Sequence, residues 1–309
     1  MAITFVAASA VVTGANPTVA AASSTTGDLL LLTTTGTATP TTPAGWTQLY
    51  AQGAGQFLTI LYKYATATEA SVVLTLAGTT SKAVMVAYRG AGAFQTIPTI
   101  LTGTGTAPST NTLTTTYASD FVLSIYTNLS GAARTWGIPA STTSRVNSAT
   151  TTTVQGLLMV DETQVAAGTS TARTATISVS SAWQGIQIAL IPSRTVYWVG
   201  GNGTWETPGA GTTGANWADS SGGAGSKIVP SQNDAVVIDA NSGSPTVILS
   251  GAPACASLTT TGATCTLSST GTLSIAGNMT LSATTTWSAT GLLTFIQSVS
   301  LLGTITTNG

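Results

Sequence analysis

Thr270-Gly-Thr-Leu-Ser-Ile275 and Thr290-Gly-Leu-Leu-Thr-Phe295 are one pattern written twice, twenty residues apart. The same offset carries Met279-Thr-Leu281 onto Val299-Ser-Leu301, and Cys265 and Leu267 onto Thr285 and Trp287. Alternation of apolar residues with Thr or Ser marks each piece as a short strand with one buried and one wet face. A period of about twenty residues is the length of one coil of a β-solenoid with three short faces, in which equivalent positions stack at the strand spacing. Leu273 over Phe295 or its neighbour Leu293, and Leu281 over Leu301, would then be interior columns. An ordinary antiparallel meander is the competing arrangement. The pattern is still running at Thr306-Thr-Asn-Gly309, so the expectation is a cap supplied by a partner or by further chain.

From Ala240 to Gly309 there is no charged side chain. Such a stretch carries no acid–base chemistry, but it can build a shaft from backbone ladders alone. Upstream, Tyr197-Trp-Val-Gly-Gly-Asn-Gly-Thr-Trp205 opens a Gly-rich junction that continues through Asn216-Trp217 and Ser221-Gly-Gly-Ala-Gly225. Strands are expected at Ala235–Asp239 and Thr246–Leu249, before the repeat.

Residues 1–193 read as strands separated by Gly, Pro, Asn and Ser turns. One series is Ile3–Ala7, Asp28–Thr34, Trp46–Tyr50, Gln56–Tyr64, Val72–Leu76 and Lys82–Arg89. A second is Asp120–Thr127, Val154–Asp161, Arg173–Val179 and Gln184–Ile191. The two resemble each other at a spacing of roughly 90–100 residues: Gly27-Asp-Leu-Leu-Leu-Leu32 matches Ser119-Asp-Phe-Val-Leu-Ser124, and Ala83-Val-Met-Val-Ala-Tyr88 matches Gly185-Ile-Gln-Ile-Ala-Leu190. Two similar four-strand halves, each needing a partner sheet, suggest one jelly-roll-like β-sandwich. Two small separate sandwiches would be marginal alone.

The chain of 309 residues is 43% apolar and 6% charged, with net charge −1. That supports real cores and an all-β class rich in Thr and Val. A near-neutral surface argues against nucleic acid. No apolar run is long enough to insert in a membrane as a helix. The opening Met1-Ala-Ile-Thr-Phe-Val-Ala-Ala-Ser-Ala10 lacks the basic residue of a signal sequence and reads better as a first strand. Cys255 and Cys265 read as small core fillers, with a disulfide left open and zinc disfavoured.

There is no histidine, which removes Ser–His–Asp and Cys–His chemistry and histidine-bound metals. Carboxylates are few: Asp28, Glu69, Asp120, Asp161, Glu162, Glu206, Asp219, Asp234 and Asp239. Asp161 and Glu162 are adjacent, so on a strand they point to opposite faces rather than flank one sugar. The reading is no enzyme, no catalytic residue and no cofactor. Gly209-Ala-Gly-Thr-Thr-Gly214 matches a dinucleotide fingerprint in form, but it follows Pro208 rather than a strand and reads as a loop. Asp234, Asp239 and Asn241 form a calcium candidate, against which stands their use in tight turns. Trp198, Trp205 and Trp217 either stack on a glycan or plug the open end of the solenoid, and the plug is preferred.

Gly27-Asp-Leu-Leu-Leu-Leu32, Pro43-Ala-Gly-Trp-Thr-Gln-Leu49, Leu61-Tyr-Lys-Tyr-Ala-Thr-Ala67 and Val86-Ala-Tyr-Arg-Gly90 together resemble a sandwich module of bacteriophage tail-fibre-like proteins. The segment Tyr197–Trp205, with Asn216-Trp217 and Asp234–Gly243, is similar to the opening of Gly-rich β-helical regions in phage fibres and large secreted bacterial adhesins. The resemblance implies a virion structural protein on the particle surface, often homotrimeric. Its partners would be other virion proteins and a host-surface glycan. The expected organisation is a β-sandwich over 1–193, then the Gly-rich junction and β-solenoid over 194–309. A head decoration protein and a secreted adhesin or carbohydrate-binding module are the alternatives.

Overall fold

The computed structural model describes residues 2–54, 56–66, 69–76, 81–95, 99–205, 213–225, 227–282, 284–289, 293–295 and 300–301. The chain is all-β: among the described residues the only helical element is the 3-10 turn Ala240–Ser242. It divides into two compact units, one holding Ala2–Ala91 and Gln95–Ile191, the other Gly92–Phe94 and Pro192 onward.

The first unit contains two antiparallel sheets, one from each half of its sequence. Strands β1 (Thr4–Ala8), β2 (Val12–Gly14), β3 (Leu29–Gly36), β4 (Thr47–Ala54), β5 (Gln56–Tyr64) and β6 (Ser81–Arg89) form the first, with main path β1-β6-β3-β5-β4 and β2 added on β6. Strands β7 (Leu101–Gly105), β8 (Phe121–Asn128), β9 (Thr143–Ser148), β10 (Gly156–Thr163) and β11 (Ser181–Pro192) form the second, with path β7-β11-β8-β10-β9. The two paths are the same path. Even the irregularities match: the β4–β5 register slips between Gln48 and Tyr50, and the β9–β10 register between Ser144 and Val146. Each half therefore has five path strands; those of the first half were all expected, while in the second the strand expected over Arg173–Val179 is only Thr176–Ile177, paired with Trp136–Gly137 off the path. The unforeseen ones, β7 and β9, are polar or Gly-rich edge strands whose composition reads as loop.

Strand β3 shows why the sequence folds this way. All eight of its residues are buried, as a central strand with two covered faces requires. Leu30 and Leu32 pack outward with Leu61, Leu74, Ala83, Met85 and Trp46, under the short pair Thr18–Val19 and Val72–Val73. Leu29 and Leu31 lie in the same rows as Tyr88 and Val86 on the opposite face. That face meets the second sheet: the Tyr88 ring packs edge-on against Phe121 at 5.5 Å, and its hydroxyl donates to Asp161 Oδ2 at 3.0 Å.

The second unit is built on parallel pairing. Its strands are β12 (Thr195–Trp198), β13 (Gly203–Trp205), β14 (Trp217–Ala218), β15 (Ala235–Ile238), β16 (Thr246–Leu249), β17 (Ala254–Cys255), β18 (Ser257–Thr260), β19 (Cys265–Ser269), β20 (Leu273–Ile275), β21 (Met279–Leu281), β22 (Thr285–Ala289), β23 (Leu293–Phe295) and β24 (Ser300–Leu301), and all of these but β14, which pairs antiparallel with β12, fall into three ladders. The ladders are β12-β15-β18-β21-β24, β13-β16-β19-β22 and β17-β20-β23, all parallel, and from β15 onward successive strands visit them in turn. In register, Val247 sits beside Leu267 and Leu267 beside Trp287; Cys255 pairs with Ile275 and Ile275 with Phe295. Leu273 pairs with Leu293 and Leu281 with Leu301. The side chains of Leu293, Phe295 and Leu301 lie outside the described residues.

Burial alternates along the strands from β15 to β21, as in Cys265–Ser269 where residues 265, 267 and 269 are buried and 266 and 268 are not. The inward residues of all three ladders form one core. At roughly 1.5–3 kcal/mol per buried large aliphatic side chain, that core accounts for an uncharged stretch holding a fixed structure.

Candidate functional site

The second unit's chemistry-bearing residues gather where the ladders begin. Trp198 ends β12, Trp205 ends β13 and Trp217 starts β14, which pairs antiparallel with β12. Their rings stack edge-to-face: Trp198 to Trp217 at 5.0 Å and 89°, Trp205 to Trp217 at 4.9 Å and 70°. All three are 0% exposed, within the same core as the ladder columns. The Trp198 indole donates to Gly201 O at 2.8 Å. None of the three rings presents a face to solvent on which a sugar could stack.

The glycines between these tryptophans have a steric cause. A Cβ on Gly200 would stand 1.7 Å from Asn216 Oδ1 and 2.8 Å from its Cβ; one on Gly203 would stand 2.3 Å from Asn216 Nδ2. Asn216 is thus seated against bare backbone, and its carbonyl accepts from Val199 N at 2.8 Å. The Gly-Gly-Asn-Gly stretch is a bed for one side chain. Nothing in its composition alone points to Asn216.

Asp234 and Asp239 stand at the two ends of β15. Five residues of extended chain separate them by roughly 16 Å, so the structure does not bring them to one ion. Asp234 is fully buried. Its Oδ2 accepts from Ser231 N at 2.8 Å and Ser231 Oγ at 3.0 Å, and its Oδ1 from Arg194 N at 2.9 Å. This fixes the start of β12 beside the start of β15, where Thr195 pairs with Ala235. Burial pushes the Asp234 carboxyl above the usual range, against the pull of the Arg194 charge and these donors. Asp239 caps the 3-10 turn: its Oδ1 accepts from Asn241 N at 3.0 Å, and its own amide donates to Ser242 Oγ at 3.0 Å. Ser242 Oγ in turn donates to Trp198 O at 2.6 Å. The Asn241 amide goes to Ser221 Oγ at 2.7 Å. Among the described residues no group of three or more Cys, Asp or Glu is placed to hold a metal.

The other described carboxylates are also engaged. Asp28 takes Arg89 in a fork, Nε to Oδ1 and Nη2 to Oδ2, both at 2.9 Å. Asp161 faces inward to Tyr88 and Arg145, while Glu162 faces outward to Arg173, so the neighbours do point to opposite faces. Asp219 pairs with Arg194 at 2.6 Å and Lys227 at 3.7 Å. Glu69 lines a cleft of about 490 Å³ with residues 21–26, but its carboxylate is turned to Lys63 Nζ at 2.5 Å and Thr66 N at 3.2 Å. Glu206 and residues 209–212 of the Gly-rich loop lie outside the described residues; Thr213–Gly214 pairs with Lys227–Ile228.

Cys255 and Cys265 are free and buried. Burial pushes both thiols up, that of Cys265 to about 12, and the Asp234 charge adds to the rise at Cys255.

No protein-family model, curated protein or solved structure matches this chain.

Proposed function

We propose that this chain is a structural protein of a bacteriophage virion, a tail fibre or fibre-like component that serves attachment and performs no catalysis. Residues 1–193 would form a jelly-roll-like β-sandwich of two similar halves. Residues 194–309 would open a β-solenoid. The observation that carries the reading is the set of three in-register parallel ladders, with apolar columns inside and Thr or Ser outside. Stacked amide bonds give such a rod stiffness with no need for ionic groups.

Two further features support it. The described carboxylates hold turns, caps or ion pairs. With only eight Lys and Arg in 309 residues, the chain offers trypsin few sites, which suits an exposed particle. The partners that go with the reading are other virion proteins, two further copies in a trimer, and a host-surface glycan met away from the buried Trp198, Trp205 and Trp217.

Electron microscopy of purified particles with gold-labelled antibody to this protein tests the assignment. Label along tail fibres is the expected result. Label on the head would turn the reading to a decoration protein, and unlabelled particles would overturn it.

A further inference from the structure

Residues 21–26 and Glu69 of the first unit line a cleft of about 490 Å³, within the roughly 300–1,000 Å³ of small-ligand sites. One wall is fixed from behind. Thr25 N donates to Asp28 Oδ2 at 2.8 Å, Arg89 Nη2 to Thr25 Oγ1 at 2.9 Å, and Thr26 Oγ1 to Thr66 O at 2.8 Å. Ala22 is buried in the core that holds Leu30, Leu32 and Met85. The site is therefore formed before any ligand arrives, which lowers the entropy cost of binding.

The second half of the unit closes the corresponding place. Leu74 N donates to Pro17 O as Ala175 N does to Pro108 O, and Ala65 N to Asp28 O as Gln164 N does to Asp120 O. These bonds set residues 17–28 and 65–74, which hold the cleft, in correspondence with 108–120 and 164–175. There Thr114–Thr115 pairs with Gly168–Thr169, and Thr115 Oγ1 donates to Gly168 O at 2.9 Å and accepts from Gly168 N at 3.1 Å. In the first half the two segments are one and two residues shorter. Among the described residues they pair as strands only at Thr18–Val19 and Val72–Val73. The opening is a departure from the duplicated plan, and the fold does not demand it.

The lining selects by chemistry. Ala21 and Ala22 offer methyl surface. The hydroxyls of Ser23 and Ser24 take no partner from the protein. Glu69 is the one charged residue of the lining, and Lys63 already neutralises it. With Thr66 N as its other partner, the carboxylate keeps lone pairs to accept further bonds. Behind the wall Arg89 is forked to Asp28, so that charge is matched too. An ion finds no counter-charge here. A polyhydroxylated ring, whose hydroxyls donate and accept while its C–H face rests on methyls, is matched on every side.

We infer that the cleft binds a neutral pyranose unit of a surface glycan, with the Glu69 carboxylate and the Ser23 and Ser24 hydroxyls as its polar contacts. The inference rests on the attachment reading above and gives it a site. Without an aromatic platform one cleft binds weakly, and many copies on one particle supply avidity.

Titration of the full chain, labelled with carbon-13 at its alanine methyls, tests this. The probes are lactose, maltose and N,N′-diacetylchitobiose at millimolar concentration, with glucosamine and glucuronate as charged controls. The expected result is saturable shifts of the Ala21 and Ala22 methyls with a neutral sugar and none with the controls. Ser23→Ala combined with Ser24→Ala removes two hydroxyls that support no protein contact, and should weaken binding about tenfold. Silent Ala21 and Ala22 methyls with all three sugars overturn the proposal. So do equal shifts with the charged controls, or an affinity the double variant leaves unchanged. Gold label on fibres with silent methyls sinks the site and leaves the attachment reading standing. Methyl shifts with unlabelled particles keep the site and sink the virion assignment.

Discussion

Asp28 and Asp120 hold the same place in the two halves of the first unit. Each carboxylate accepts from the amide three residues earlier, Thr25 N at 2.8 Å and Tyr117 N at 3.2 Å. Each backbone carbonyl accepts from the strand that returns beside it, Ala65 N at 2.8 Å and Gln164 N at 2.7 Å. Each follows a residue in the left-handed region, Gly27 at φ 88° and Ser119 at φ 69°. The turn that launches β3 and the turn that launches β8 are one device used twice.

The copies differ at that left-handed position, and the difference sets a prediction. A Cβ there costs about 1–2 kcal/mol, partly offset by the smaller backbone entropy of a non-glycine chain. Gly27→Ala should lose about 1 kcal/mol of stability, and Ser119→Gly should gain up to about 1 kcal/mol. Urea midpoints of the full chain measure both. Opposite signs at the two positions are the expected outcome.

A second difference concerns acid. Ile191 stands where Arg89 does, since Leu29 pairs with Tyr88 and Phe121 with Leu190. Burial raises the Asp28 carboxyl, but the Arg89 fork and the Thr25 donors outweigh it and hold Asp28 below the usual range. A depressed carboxylate contributes stability above its unfolded value near 3.9, and loses it as pH falls through its folded value. For Asp161 burial dominates and the folded value is raised, against the pull of Arg145 and Tyr88. Its contribution is present below the unfolded value and is lost as pH rises through the folded one. In urea unfolding from pH 3 to 7, the gap between wild type and Asp28→Asn should therefore narrow as pH falls. The gap to Asp161→Asn should widen.

The seat of Asn216 gives a third. Gly200→Ala places its methyl inside the Asn216 side chain, including its Cβ and Cγ, so simple rotation does not clear it. The cost should be about 1–3 kcal/mol, the range for overpacking. Asn216→Gly removes the obstacle. In the double variant the alanine's added cost should fall below about 0.5 kcal/mol, and a double-mutant cycle on thermal stability reads this coupling.

The all-β class was legible because Thr and Val in alternation with apolar residues admit little else. The ladder partners Cys265–Thr285, Leu267–Trp287 and Leu281–Leu301 coincide with the twenty-residue offset, since identical spacing lets parallel strands repeat without slippage. The ladders' true start was hidden. Thr195–Trp198 and Gly203–Trp205 pair with strands 40 and 44 residues on, because the Gly-rich insertion lies between. Strands β7 and β9 were hidden by polarity, as edge strands need bury only one face. Lys82 opens an apolar run, and only the second sheet, distant in sequence, buries it. For Asp234 the residue type was noticed and its role was not. It sets a register through backbone amides, and amides carry no sequence signature.

The columns predict a contrast within one strand. Leu267 lies inside the core between Val247 and Trp287, while Ser268 beside it points outward. Leu267→Ala should cost about 2–5 kcal/mol through lost burial and the cavity left behind. Ser268→Ala should stay within about 0.5 kcal/mol. Guanidinium unfolding of each variant provides the comparison, and similar losses at both positions would contradict the inside–outside assignment.

Cys255 and Cys265 report on the same stack without mutation. Alkylation needs thiolate and access, and burial denies both: the Cys265 thiol lies at about 12, and Cys255 is pushed up further by burial and the Asp234 charge. At pH 8 iodoacetamide should label both cysteines readily in urea, and in the folded chain only through opening, at a rate set by the population of the open state while reclosing outpaces alkylation. Cys265 opens β19 and pairs with Thr285 of β22, while Cys255 ends β17 and pairs with Ile275 of β20, so each is held by a different ladder. If the three ladders share one core, opening one exposes the others, and intact mass spectra should pass from unlabelled to doubly labelled protein with little singly labelled species. A large singly labelled population would mean that the ladders open one at a time, with coupling too weak for the stiff solenoid proposed above.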